Sequence, residues 1–91
     1  CIESIKRNVP KVFEHYGLDH QIDKTCEECA ELIQALMKGR CDGWDEETAG
    51  HVLEEMADVY VMLEQLRLAF GSYAEKAAMK VQRTLGRMVK E

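Results

Sequence analysis

This sequence predicts an all-α domain of four helices, on three observations. Apolar residues recur at three- and four-residue steps along nearly the whole chain. No stretch alternates polar and apolar residues for long enough to make a strand. Glycines and capping residues divide the chain into four segments with short connections. The 91 residues make one domain, 1–91, near the lower limit for an independent hydrophobic core, so burial gained by oligomerising is expected. An apolar share of 46% beside 32% charged residues excludes a disordered polar chain. The net charge of −5, with Lys and Arg gathered at the two ends and acids in the middle, speaks against a nucleic-acid surface. No apolar run approaches the roughly 18–20 residues of a membrane span, and no segment has the form of a signal peptide.

Taken in order, Ile2, Ile5, Val9, Val12/Phe13 and Tyr16 give a first helix over about 2–16 that stops at Gly17. Pro10 lies inside that pattern, so this helix is either kinked there or starts late, near Asn8. Asp19 is the expected N-cap of a second helix running to about Lys38, with Gly39 as its stop. Gly39 to Trp44 reads as a loop. Asp45 then caps a third helix to about Phe70, ended by Gly71. Ser72 with Glu75 three residues on has the form of a capping box for a fourth helix reaching near the C-terminus.

Four cysteines are present. Cys26 and Cys29 form a C-x-x-C with no second pair to complete a zinc site, and Cys1 and Cys41 lie at irregular spacing. On a helix, Cys26 and Cys29 project with Ile22, Ile33 and Leu36, which predicts buried free thiols. Unpaired thiols fit a reducing, cytoplasmic compartment.

The chemistry is carried by two matching acid clusters, Glu27-Glu28-Cys29-Ala30-Glu31 and Glu54-Glu55-Met56-Ala57-Asp58. Acids at i and i+3 share a helix face. At about 100° per residue, Gln21, Lys24, Glu28 and Glu31 form one stripe of the second helix, with Glu27 at its edge. Glu47, His51, Glu55, Asp58 and Gln65 line up on the third, with Glu54 at the edge. One such cluster alone would read as a solvated face. Two of them, with no Lys or Arg between 24 and 38 or between 40 and 67, require cations if they face one another. Hard oxygen donors select Mg²⁺, or Mn²⁺, over zinc. A di-iron bundle would want Glu-x-x-His pairs, and His51 stands in the reverse order.

Glu28-x-x-Glu31 followed by Glu55-x-x-Asp58 on successive helices resembles the all-α nucleoside triphosphate pyrophosphohydrolases, the MazG family and its relatives. The likeness runs from His20, Gln21 and Lys24 through Glu54-Glu55-Met56-Ala57-Asp58-Val59 to a basic last helix. It implies a four-helix MazG-like domain assembling as a helical-bundle dimer or tetramer. It also implies Mg²⁺-dependent hydrolysis of a (d)NTP to the monophosphate and pyrophosphate. Residue by residue, it implies Glu28, Glu31, Glu55 and Asp58 as metal ligands and Glu27 and Glu54 as the catalytic acids, either of which orients a water or acts as base. A triphosphate with about four negative charges cannot meet so many acids without such an ion between them.

Lys76, Lys80, Arg83 and Arg87 follow at +4, +3 and +4, a basic stripe opposite Ala74, Ala77, Val81, Leu85 and Met88. The stripe is either a solvated helix face or a set of phosphate contacts, and the resemblance favours Lys80, Arg83 and Arg87 as substrate-binding residues. Lys24 and Gln21, one and two turns before Glu28, are candidate nucleotide contacts. Trp44 either packs at a subunit contact or stacks on a base. The reading from another class is a non-catalytic helical module, oligomerising or binding a metal or basic partner through its acids.

Overall fold

The computed structural model describes all residues from 1 to 91. It holds four helices and no strand: α1 (Ile2–Tyr16), α2 (Leu18–Asp42), α3 (Glu46–Phe70) and α4 (Ala74–Lys90). α1 begins at Ile2 and runs through Pro10, at the cost of the bond that a residue-10 N–H would have given the carbonyl of Lys6. Its inward edge is Val9, buried, with Ile5 and Phe13 half-buried one turn to either side.

Two expected boundaries move. α2 is capped by Gly17, whose φ of +83° only glycine adopts freely, and Asp19 lies in the first turn, where its charge meets the helix dipole. Gly39 does not stop α2. It is buried within the helix against the indole of Trp44, and the helix ends at Gly43, φ +102°. Gly39 is therefore a site of close approach, because a Cβ there would run into the ring.

Asp45 caps α3 as expected. Its Oδ1 accepts from the Thr48 N–H at 2.8 Å, and its own N–H donates to Thr48 Oγ1 at 2.9 Å, a reciprocal box that satisfies both orphan donors. Gly71, φ +105°, ends α3. The box expected from Ser72 and Glu75 does not form: the cap of α4 is Tyr73, with no side-chain bond. Tyr73 instead turns its phenol back to α3, donating to Glu64 Oε2 at 2.9 Å.

α2 and α3 form the main antiparallel pair, and α1 lies across both. α4 touches none of the three. Eleven residues are buried and only four of them are apolar side chains, Val9, Ala35, Val52 and Met62. The interior between α2 and α3 is therefore the polar stripe, Gln21, Thr25 and Glu28 facing Glu55 and Gln65. The apolar stripe of α2 and much of that of α3 are turned outward, including Ile33, Leu36, Leu53, Met56, Tyr60 and Leu63. The thiols follow that face: Cys26 is exposed and Cys29 half-buried, against the expectation that both are buried, and all four cysteines are free.

Candidate metal centre

The packing of α2 on α3 brings Glu28, Glu31 and Glu55 together, each with a carboxylate oxygen within 4.8 Å of the others. Glu28 and Glu55 are 7% and 8% exposed. Each has one oxygen beside a cationic or imidazole side chain. Lys24 Nζ lies 3.2 Å from Glu28 Oε1 and 3.6 Å from Glu27, and His51 Nε2 lies 3.8 Å from Glu55 Oε1. The second oxygen of each, Oε2, is buried with no hydrogen-bond partner. Buried polar atoms are otherwise almost always paired. Two orphaned carboxylate oxygens in one cluster are thus an acceptor set lacking its donor.

The local electrostatics agree. The Glu31 carboxyl is held above its ordinary value, first by the negative charge of Glu28, then by partial desolvation, with the charges of Glu55 and Glu27 adding. The Lys24 ammonium is held above its ordinary value by its hydrogen bond to Glu28 and the charges of Glu27 and Glu28. One lysine does not balance the cluster. The donors in it are all carboxylate oxygens, which suit Mg²⁺ or Mn²⁺ rather than zinc, so the residues present fit a hard divalent ion.

The remaining sequence-predicted residues divide. Asp58, one turn after Glu55, is exposed and stands outside the trio. It lines a groove of about 560 Å³ with Lys24, Glu27 and Glu28, a volume in the range of small-molecule sites. Glu54 opens onto a different groove, of about 710 Å³, at the α2–α3 turn with Lys38, Glu47 and His51. Glu27 and Glu54 therefore face different spaces. Gln21 is buried: its Nε2 donates to Gln65 Oε1 at 2.6 Å, and its Oε1 lies 2.6 Å from His20 Nδ1. Lys80, Arg83 and Arg87 are exposed on α4, which packs on none of the helices that carry the acids.

One feature of the groove escapes sequence reasoning. Tyr16 stacks on His20 at 4.8 Å between centroids and 18° between planes, forming its aromatic wall with Val12. The four-residue step from Tyr16 to His20 carried that signal, but Gly17 read as a break between helices. Gln65, which helical spacing sets in line with Glu55 and Asp58, is the most buried large side chain at 1% exposed; its Oε1 accepts from Gln21, and both amides line the groove. No known family, characterised protein or solved structure matches this chain.

Proposed function

We propose that the protein is a Mg²⁺-dependent nucleoside triphosphate pyrophosphohydrolase, converting a (d)NTP to the monophosphate and pyrophosphate. The observation that carries the metal part is the gathering of Glu28, Glu31 and Glu55 in one cluster, in which Glu28 and Glu55 each keep a buried oxygen without a partner. The nucleotide part rests on the likeness of the two acid motifs to the MazG family. Glu28, Glu31 and Glu55 hold the ion, with Asp58 one turn on at the mouth of the adjoining groove. When bound, Mg²⁺ neutralises phosphate oxygens and acidifies a coordinated water.

The chain's own residues do the rest. Lys24 fixes Glu28 Oε1 and keeps an ammonium at the groove, where a phosphate oxygen can share it. Glu27, exposed on that groove, is the better base of the two candidates, since its carboxylate can take a proton from an attacking water there. Glu54 faces the other groove and fits a supporting role. The Gln21–Gln65 amide pair holds α2 to α3 behind the acids, and Tyr16 and His20 offer a stacking surface. The active unit is a homo-oligomer, and Lys80, Arg83 and Arg87 reach a substrate only if assembly brings α4 to a groove.

The test is a nucleotide panel with Mg²⁺ and product identification. Pyrophosphate, not orthophosphate, is expected from at least one (d)NTP, with release lost in Glu28→Gln and Glu27→Gln. A well-folded protein that binds Mg²⁺ yet releases no pyrophosphate from any nucleotide would leave a non-catalytic cation-binding module.

A further inference from the structure

We infer that His51 joins Glu28, Glu31 and Glu55 as a nitrogen ligand of the centre, which shifts its preference from Mg²⁺ towards Mn²⁺. The inference rests on the metal part of the reading above, for which it names a further ligand and the ion held more tightly. It does not depend on the catalytic part.

Placement is the first argument. His51 stands four residues before Glu55 on α3, a spacing that puts both side chains on one helix face, one turn apart. Its Nε2 lies 3.8 Å from Glu55 Oε1. That is too long for a hydrogen bond, so none ties the ring to this carboxylate. It does suit two donors on one ion. Ligands about 2.1 Å from a common octahedral centre sit roughly 3.0 Å apart when adjacent and about 4.2 Å when opposite. An independent sign that a cation belongs here comes from the carboxylates. Glu28 and Glu55, 7% and 8% exposed, each keep Oε2 buried without a partner.

The second argument is that the two ends of the cluster differ in kind. On α2 the neighbouring side chain is Lys24, 3.2 Å from Glu28 Oε1, and an ammonium has no lone pair to give a metal. On α3 it is an imidazole, which in its neutral form has one. The exposed ring also lines the groove at the α2–α3 turn with Glu47 and Glu54, so an ion approaches it from solvent past carboxylates that attract it.

Donor chemistry then selects the ion. Mg²⁺ is held by oxygen and gives up its waters reluctantly. First-row transition ions take nitrogen beside oxygen, and Mn²⁺ is the one among them whose preference for carboxylates matches the other three ligands. Loss of the imidazole should therefore weaken Mn²⁺ and leave Mg²⁺ as it was.

The experiment uses the full chain with Mn²⁺ alone as the probe. Pulsed electron paramagnetic resonance of the loaded protein is expected to show coupling to a coordinated nitrogen. His51→Gln, which suits a helix and offers no imidazole, is expected to abolish that coupling, and His20→Gln to keep it. Calorimetric titration of His51→Gln should raise the Kd for Mn²⁺ about 10–100-fold, the loss seen when even a supporting group is removed from a metal site, with the Kd for Mg²⁺ unchanged. Circular dichroism checks that the variants remain helical. Mn²⁺ bound by the wild type without nitrogen coupling would overturn the inference and leave an all-carboxylate centre in place. A coupling that survives in His51→Gln, or an equal loss of both ions in a helical variant, would overturn it too. A wild type that binds neither ion would sink the metal reading along with it. None of these readouts involves nucleotide, so the enzyme reading is tested separately.

Discussion

Removing the two buried charges of the cluster, in Glu28→Gln with Glu55→Gln, separates a metal centre from a patch of acid. In the metal-free protein each of these residues leaves one oxygen buried and unpaired. A buried unsatisfied acceptor costs about 1–3 kcal/mol, so the pair holds roughly 2–6 kcal/mol of destabilisation that a bound cation relieves. At a Mg²⁺ concentration of 100 times Kd, linkage supplies about 2.7 kcal/mol, within that range. For a domain of this size about 1 kcal/mol moves Tm by roughly 4–8 °C, so Mg²⁺ should raise Tm by about 10–20 °C. The assay is thermal unfolding followed by helical circular dichroism at fixed protein concentration, with NaCl matched in ionic strength as the control for simple screening. The double variant should melt no lower than the wild type without metal and should respond to MgCl₂ no more than to NaCl. If the wild type gains no more from Mg²⁺ than from Na⁺, or the variant keeps the full gain, the cluster is not a metal centre.

Three further outcomes test the frame around the site. Gly39→Ala and Gly50→Ala should differ in sign. Ala in an open helix position gains about 0.5–1 kcal/mol, which Gly50 should deliver because a Cβ there meets nothing within 4 Å. At Gly39 a Cβ would lie 2.5 Å from Trp44 Cε3 and nearer still to Cζ3 and Cη2, so Tm should fall and the indole fluorescence shift to the red as the ring is expelled. Gln65→Leu leaves the Gln21 amide buried without its 2.6 Å partner and should cost about 1–3 kcal/mol in urea unfolding. Asp45→Ala should lower Tm while Asp45→Asn largely keeps it. Thr48, through its backbone N–H first and then its hydroxyl, holds the Asp45 carboxyl below its ordinary value. The cap is therefore fully present above that ordinary value and lost as pH falls through the depressed one, and the gap between wild type and Asp45→Ala should close in acid.

The sequence by itself determined the four helices, the Asp45 cap and the Gly17 and Gly71 ends. Those features depend on local chemistry, a side chain bonding a backbone group three residues away or a glycine taking positive φ. It also marked Glu28, Glu31 and Glu55 as members of one set, because helical spacing alone puts them on matching faces. Only the tertiary structure decided which face each helix buries. Hydropathy assigns the apolar stripe of α2 to the core, and with it Cys26 and Cys29. In the single chain that stripe is outward, and Gln21, Glu28, Glu55 and Gln65 are inward. Periodicity fixes the angle between two stripes on a helix but not which of them meets a neighbour; that depends on the partner helix and on how many copies of the chain assemble. The same limit hid the role of Gly39, which reads as a helix stop until Trp44, five residues on, is seen packed on it.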